Sequence, residues 1–170
     1  MTNFNSIPFL KNEGFKGFIS YRNLNMNEGS ISEGHGIYFV INPNYKKPEF
    51  INPGVCGSHK GKNPNYSIEY LKKKYVKNAQ VMYIGKAGGT GVNATLQSRI
   101  KDYLACSRNL TCSHSGGRSI WQLKNYKDLI FCWQTLENIE PGKRENELIE
   151  EFENEFGNIP FANQNRGKKH

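Results

Sequence analysis

Two short apolar stretches are the most strand-like parts of this sequence, His-Gly-Ile-Tyr-Phe-Val-Ile at residues 35–41 and Val-Met-Tyr-Ile-Gly-Lys-Ala-Gly-Gly at residues 81–89. Both are rich in β-branched and aromatic residues and are bounded by Gly, Pro or Asn, so each is predicted to be a strand buried on at least one face. The second leads into a glycine turn at residues 88–91, where the backbone can approach a bound anion. Two strand tyrosines, a lysine and this turn could form a phosphate-sized polar pocket, although strand tyrosines are most often core residues.

The length and charge of the chain favour one domain with an anionic partner. Its 170 residues are enough for a single domain with a sizeable core. The formal net charge is +8, but eight of the fifteen acids are glutamates between residues 137 and 155, so residues 1–136 carry 18 Lys and Arg against 7 acids. Such a basic body suits a polyanion such as nucleic acid. A charge that only maintains solubility is the alternative.

Cysteine usage and hydropathy indicate a cytoplasmic protein. The four cysteines form no CxxC pair and no regular framework, so we expect reduced thiols and no disulfide bond. They are Cys56, Cys106, Cys112 and Cys132. No basic start followed by an apolar run stands at the N-terminus, and no stretch reaches about 18 apolar residues, so we expect neither a signal peptide nor a contact with a membrane.

Two segments lie outside the predicted strands. Residues 1–33 form a polar, Asn-rich N-terminal extension, whose apolar clusters we expect to pack as a lid or an extra layer against the domain. Residues 42 to about 78 form an insertion between the strands, in which residues 67–76 have apolar side chains at helical spacing. The other side of this basic helix is a candidate nucleic-acid contact or simply a solvated helix face. It carries Lys72, Lys73 and Lys74.

A helix after the glycine turn places an arginine beside an apolar stripe. Asn93 or Thr95 can cap this helix, which is predicted to run to about Cys106. Arg99 and Tyr103 are four residues apart, so their side chains meet on one face. A guanidinium in this position is costly without an anionic partner. A substrate phosphate could be that partner, and so could a structural carboxylate.

The last predicted helix begins at Pro141 and is closed by Gly157. At about 100° per residue, Glu145 projects onto the apolar stripe of this helix, whereas the other nearby glutamates project away. The stripe consists of Leu148, Ile149, Phe152 and Phe156. A carboxylate among apolar side chains needs a metal ion, a cation or a proton to offset its desolvation. Glu145 is therefore a candidate metal ligand or, alternatively, the ion-pair partner of Arg99.

The two strands carry tripeptides that resemble the name motifs of the GIY-YIG nuclease family. Gly36-Ile37-Tyr38 matches the first motif and Tyr83-Ile84-Gly85 matches the second, in the family's order. Family members commonly join the motifs by a short hairpin, whereas Tyr38 and Tyr83 are 45 positions apart here. The insertion must therefore fold outside the small sheet. Longer insertions occur in restriction-enzyme-like members of the family.

Three further elements extend the resemblance over residues 36–163. The family's helical Arg, with an aromatic residue or His four positions later, corresponds to Arg99 and Tyr103. Its Glu-x-x-Leu-Ile motif corresponds to residues 145–149, and its closing Asn after a Pro corresponds to Asn163.

The resemblance implies an α/β sandwich with a small three-stranded, largely antiparallel sheet flanked by helices. The third strand would be residues 129–135. Without the resemblance, the pattern indicates only mixed α and β structure. We expect one domain over residues 1–170, with the nuclease core at residues 36–163.

The activity implied by the resemblance is that of a divalent-metal-dependent endonuclease acting on double- or single-stranded DNA. Tyr38 would hold or deprotonate the attacking water. Glu145 would bind Mg²⁺, with Mn²⁺ as a substitute, because magnesium needs as few as one protein carboxylate beside waters and substrate phosphate. Arg99 would grip the scissile phosphate through its planar fork.

Supporting roles fall to four other residues in this interpretation. Lys86 would supply a cation near Tyr38, since the unperturbed tyrosine pKa of about 10 is too high for a base at neutral pH. Tyr83 and Tyr103 would hydrogen-bond the phosphate or the water network. Asn163 would support the architecture on the metal side without reacting.

The loop before the third predicted strand holds two further candidate site residues. His114 is an auxiliary catalytic candidate or a surface histidine, and Arg118 joins the lysine triplet as a nucleic-acid contact. The sequence also fits a catalytically silent nucleic-acid-binding module on the same scaffold, or a nuclease that prefers single-stranded DNA or RNA. No second DNA-binding domain is visible.

Overall fold

The two motif strands lie side by side in an antiparallel sheet. A computed structural model of the protein describes residues 1–58, 61–108 and 117–166. Within these ranges the sheet has four strands in the order β1-β4-β2-β3, and every neighbouring pair is antiparallel. The strands are β1 (Lys16–Ser20), β2 (Gly36–Ile41), β3 (Val81–Ala87) and β4 (Ile130–Thr135).

The predicted α/β class is confirmed, but the prediction of three strands is wrong. The additional strand is β1, which the sequence assigned to an extra layer of the N-terminal extension. It pairs with the outer edge of β4, with Lys16 opposite Trp133. Its register is interrupted at Phe18, which has a φ of 54°, and Gly17 has a φ of 88°. A five-residue edge strand with this irregularity carries no regular alternation for sequence reasoning to detect.

The helices begin where side chains can cap them. Thr95 accepts a hydrogen bond from the backbone N–H of Ser98, and the Ser98 hydroxyl accepts one from the backbone of Thr95, which completes a capping box. The last helix has Pro141 in its first turn and ends at Gly157, whose φ is 77°, as predicted. The helices within the described ranges are α1 (Ile7–Asn12), α2 (Tyr21–Leu24), α3 (Ile68–Lys74), α4 (Leu96–Ala105) and α5 (Pro141–Phe156).

Strand β2 is the centre of the domain, because all six of its residues are buried. Side chains alternate between the two faces of a sheet. Tyr38 and Val40 belong to a cluster with the buried side of α4 and with Trp121. The alternate residues belong to a second cluster with α1 and α5; they are Ile37, Phe39 and Ile41. The sheet is therefore covered on both faces.

Close approach of backbone and rings explains the glycine in each tripeptide motif. A Cβ atom added to Gly36 would lie 2.0 Å from the backbone oxygen of Gln134 on β4. A Cβ atom added to Gly85 would lie 2.5 Å from the ring of Tyr38 and 2.7 Å from that of Tyr83. Any larger residue would have to push a strand or a tyrosine aside.

The insertion packs beside the sheet and adds no strand to it in the described residues. The backbone N–H of Ile51 donates to the carbonyl of Gln122 at 2.8 Å, and Phe50 forms an isolated β-bridge with Leu123. Helix α3 lies within this insertion. The insertion is thus joined to the segment that leads into β4.

One cysteine departs from the expected chemistry. Cys106, at the end of α4, is disulfide-bonded, whereas Cys56 and Cys132 are free and buried. The prediction that all thiols are reduced is therefore wrong. Cys112 lies outside the described residues. Among the helices that the structure describes, none is long and apolar enough to cross a membrane.

Candidate active site

A cluster of three tyrosine rings lies on the α4 side of the sheet. Tyr38 and Tyr83 come from neighbouring strands, with ring centroids 5.8 Å apart, and their hydroxyl groups interact. Tyr103 from α4 stacks on Tyr83, with ring centroids 5.2 Å apart and 19° between the ring planes. We call these three residues the tyrosine cluster.

Burial keeps the tyrosine cluster protonated. Tyr38 is only 1% exposed, and its burial raises the pKa of its hydroxyl well above the usual value; neighbouring Tyr83 raises this pKa further, while Arg99 lowers it. Burial also raises the pKa of Tyr83, with a further increase from the negative charge of Glu145. Burial raises the pKa of Tyr103 well above its usual range. All three side chains are therefore neutral phenols at neutral pH.

Tyr103 uses its hydroxyl for a structural contact. The hydroxyl donates to the backbone carbonyl of Gly117 at 2.6 Å, and the side chain is 1% exposed. Gly117 has a φ of 79°, and a Cβ atom there would lie 2.2 Å from the Tyr103 oxygen. The predicted hydrogen bond from Tyr103 to substrate would require this contact to open.

Glu145 lies on the buried side of α5 and faces a lysine. Its Oε2 atom is 4.0 Å from Nζ of Lys86, and the Glu145 side chain is 16% exposed. Burial raises the pKa of the Glu145 carboxyl to about 7; the charges of Lys86 and Arg99 oppose this rise, and that of Glu140 adds to it. At 4.0 Å the lysine only partly offsets the desolvation of the carboxylate.

The two cations of the site are placed differently from the sequence prediction. Lys86 was expected to act on Tyr38, but in the described residues its ion pair is with Glu145. Arg99 is the cation whose charge lowers the pKa of Tyr38, and it also acts on Glu145. Arg99 is half-buried and lies on α4, one turn before Tyr103. The charge of Arg99 thus acts on the tyrosine pair and on the carboxylate.

Asn163 holds the strand that carries Tyr83. Its Oδ1 atom accepts from the backbone N–H of Ile84 at 3.0 Å, and its Nδ2 donates to the Ile84 carbonyl at 2.8 Å. Next to it, the N–H of Ala162 donates to the carbonyl of Met82 at 2.8 Å. Strand β3 is an edge strand, so alternate backbone groups point away from the sheet and need partners elsewhere. Asn163 supplies both partners and positions β3.

A groove lies at the glycine turn, and Lys86, the ion-pair partner of Glu145, is one of its lining residues. Its volume is about 750 Å³, and its walls come from the turn, from Lys86 and from the first half of α5. A Cβ atom at Gly89 would lie 2.7 Å from the carboxylate of Glu140. Glu140 also caps α5 by accepting from the N–H of Lys143 at 2.7 Å. Sequence reasoning missed Glu140 as a site residue, and its position directly before Pro141 was the available signal.

The other predicted site residues lie apart from this arrangement or outside the described structure. On α3, Lys72 and Lys73 are exposed and Lys74 is half-buried, and burial lowers the Lys74 pKa. Arg118 donates to the hydroxyl of Tyr66 in the insertion at 3.0 Å. His114 lies outside the described residues.

Comparison with known proteins identifies no relative. No protein-family model, no curated protein and no solved structure matches the chain. Residues 1–58, 61–108 and 117–166 contain no group of three or more His, Cys, Asp or Glu side chains that could hold a metal ion. Function is therefore inferred from the arrangement of the side chains around Tyr38 and Glu145.

Proposed function

We propose that the protein is a divalent-metal-dependent endonuclease of the GIY-YIG type that hydrolyses phosphodiester bonds in DNA. The observation that carries the proposal is the electrostatic coupling among groups that are far apart in sequence. The charges of Arg99 and Glu145 both act on Tyr38 and Tyr83, and Lys86 faces Glu145 at 4.0 Å. Phosphodiester hydrolysis requires this combination of a cationic grip, a carboxylate and groups that hold water.

The carboxylate fits a magnesium ion. Magnesium usually keeps several waters and takes only one or two protein carboxylates beside the phosphates of its substrate. Glu145 is such a single carboxylate, and its pKa of about 7 means that a further positive charge would be needed to keep it ionised. When bound, the ion would neutralise charge on the phosphoryl oxygens and lower the pKa of a water.

Arg99 is the residue best suited to hold the scissile phosphate. Its planar fork can donate two parallel hydrogen bonds to phosphoryl oxygens. Its charge already lowers the pKa values of Tyr38 and Tyr83 against the effect of burial. A phosphate bound by Arg99 would therefore lie close to the tyrosine pair.

Tyr38 orients the attacking water. Its hydroxyl stays protonated, and the oxygen of a phenol keeps lone pairs that can accept a hydrogen bond from that water. Because its pKa is raised well above 10, deprotonation of Tyr38 would require additional positive charge at its oxygen. Asn163 and Gly85 act on this step indirectly, by holding β3 and by leaving space for the two rings.

Cleavage assays test the proposal directly. Pure protein is incubated with plasmid, single-stranded DNA and RNA, each with Mg²⁺, with Mn²⁺ or with EDTA. We expect cleavage of DNA that depends on the metal ion and is lost in Glu145→Gln. If none of the three nucleic acids is cleaved with either metal, the proposal is wrong.

A binding module without turnover is the second candidate. The observation that favours it is the protonated, 1% exposed Tyr38, which is a poor base in the free protein. The basic body of residues 1–136 would then be sufficient for function. Salt-dependent binding by the parent, without any cleavage and unchanged by Glu145→Gln, would support this candidate instead.

A further inference from the structure

We infer that the insertion provides a stacking surface for an unpaired base beside the tyrosine cluster, so that the preferred nucleic acid has unpaired nucleotides there. The surface consists of Tyr66 and Tyr70, and Arg118 lies against it. This inference rests on the proposed nuclease function for its position, and it adds a substrate class to that function.

The two rings form an ordered stack with an open outer face. Their centroids are 4.9 Å apart and their planes are 26° from parallel. Tyr70 is 44% exposed, although one face of its ring is covered by Tyr66. Its exposed area therefore lies on the opposite face and at the edges. Bases stack on such faces in proteins that bind single strands, whatever the base sequence.

Tyr66 is held on several sides, so the stack is preorganised. The side chain of Gln122, 1% exposed, accepts from the backbone N–H of Tyr66 at 2.8 Å and donates to its carbonyl at 2.9 Å. The Tyr66 hydroxyl accepts from Arg118 at 3.0 Å and from Gln164 at 3.1 Å. The Arg118 guanidinium also lies 5.3 Å from the ring centroid. A platform fixed in this way loses little entropy when a base binds.

The same residues connect the stack to the candidate active site. Arg118 directly follows Gly117, whose carbonyl accepts the hydrogen bond from Tyr103. Gln164 directly follows Asn163, which holds the backbone of β3. The two side chains that fix the Tyr66 hydroxyl are therefore chain neighbours of two residues that build the site. Tyr66 also packs against the core cluster that contains Tyr38 and Tyr103.

The charge around Tyr70 favours a nucleotide over an apolar ligand or a protein segment. Lys73 and Lys74 are three and four residues after Tyr70 on α3, so they share its side of the helix. The only acid of this helix is Glu69. Phosphates on either side of a stacked base would thus meet cations, and this combination of aromatic rings and cations is typical of single-strand binding.

The test is equilibrium binding in EDTA, which separates binding from cleavage. Fluorescence anisotropy is measured with labelled single-stranded DNA, single-stranded RNA and a blunt DNA duplex of equal length. The proteins are the parent, Tyr70→Ala, Tyr70→Phe and Met26→Ala, the last of which removes a more exposed apolar side chain outside this surface. Circular dichroism and thermal unfolding verify that each variant is folded.

We expect Tyr70→Ala to weaken single-strand binding about 5- to 100-fold and duplex binding less than about two-fold, because stacking of one base is removed. Tyr70→Phe retains the ring and the affinity, and Met26→Ala binds as the parent does. A 2-aminopurine in the single strand should be quenched by the parent and not by Tyr70→Ala. The tighter of the DNA and RNA arms identifies the preferred strand.

Three outcomes would overturn the inference: no single-strand binding by the parent, equal losses of affinity for single strand and duplex in Tyr70→Ala, or affinity for the single strand that Tyr70→Ala leaves unchanged. Each of them is compatible with metal-dependent cleavage, which would leave the nuclease proposal standing. The reverse result, stacking on Tyr70 without cleavage by the parent, would overturn the nuclease proposal alone.

Discussion

The environment of Glu145 differs from that of the lysines on α3, although both are charged side chains on helices. Glu145 is 16% exposed and its pKa is raised to about 7, with Lys86 at 4.0 Å. Lys72 and Lys73 are exposed to solvent. A buried charge depends strongly on each neighbour, whereas exposed charges are screened and act together on a polyanion. Under the proposed function, the buried carboxylate takes part in the chemistry, and the exposed lysines attract the substrate.

The largest effect is expected from Glu145→Gln. This change removes the carboxylate and keeps the shape of the side chain, so we expect cleavage to fall by at least about 100-fold. Affinity for DNA should stay within a few-fold, since removal of an anion does not weaken attraction to a polyanion. Single-turnover cleavage and equilibrium binding measure the two quantities. Near-parent cleavage by Glu145→Gln in Mg²⁺ would show that Glu145 serves only as a structural partner of Lys86.

Stability should reveal the burial of Glu145 without any substrate. A carboxyl whose pKa rises from 4.5 to about 7 on folding binds its proton more tightly in the folded state. The unfolded chain releases that proton first, so the parent loses stability as pH rises from 4.5 to 7, by up to about 3 kcal/mol. Glu145→Gln lacks this loss and should be the more stable protein at about pH 8. Urea unfolding in EDTA at about pH 4.5 and about pH 8 measures the difference.

A stability difference between parent and Glu145→Gln that is the same at both pH values would contradict this expectation. It would mean that the Glu145 carboxyl is solvated as well as the exposed glutamates of α5 are. Glu150→Gln is the matched control, because Glu150 is exposed on the same helix.

Gly85→Ala tests how tightly the buried region is packed. The added Cβ atom would lie 2.5 Å from the ring of Tyr38, so we expect a destabilisation of about 1–3 kcal/mol, together with reduced cleavage. Gly29→Ala is the control, since its Cβ would have a nearest contact at 3.8 Å. Chemical denaturation compares the two variants. Equal stability of Gly85→Ala and Gly29→Ala would mean that the tyrosine rings move aside without cost.

The smallest effect on turnover is expected from changes to the lysines of α3. Replacing Lys72, Lys73 and Lys74 by Gln should weaken DNA binding and reduce the salt slope by up to about 0.9 for each phosphate that the lysines no longer neutralise. Cleavage at saturating DNA should remain nearly unchanged. The same charge change at exposed positions elsewhere is the control, with Gln at Lys11, Lys16 and Lys127. Salt slopes that fall equally in both triple variants would remove any special role for α3.

Regular local patterns made much of the fold predictable. Strands β2, β3 and β4 follow from runs of β-branched and aromatic residues, and α4 and α5 follow from their caps and apolar stripes. Strand β1 was not predictable, because it exists through pairing with β4 and contains a residue with positive φ. The disulfide of Cys106 was missed for a similar reason, since spacing alone does not show which thiols meet.

The candidate site shows the same division. Helical periodicity was sufficient to predict that Glu145 faces the core, and the structure agrees, since its side chain is only 16% exposed. Which cation faces it depends on how α5 packs against β3 and α4, and sequence reasoning named Arg99 as the alternative partner where the structure has Lys86. The ring contact between Tyr38 and Tyr83 likewise depends on the register of two strands separated by the insertion.

The hydrogen bonds of Asn163 have a consequence for association between chains. An uncovered edge strand presents a row of free N–H and C=O groups on which another chain can build a new strand. Strand β3 is apolar and lies at such an edge. However, the carboxamide of Asn163 already bonds the backbone N–H and C=O of Ile84, and the N–H of Ala162 bonds the carbonyl of Met82. The side chain that positions Tyr83 therefore also blocks strand addition at the middle of β3, where intermolecular sheet growth would otherwise begin.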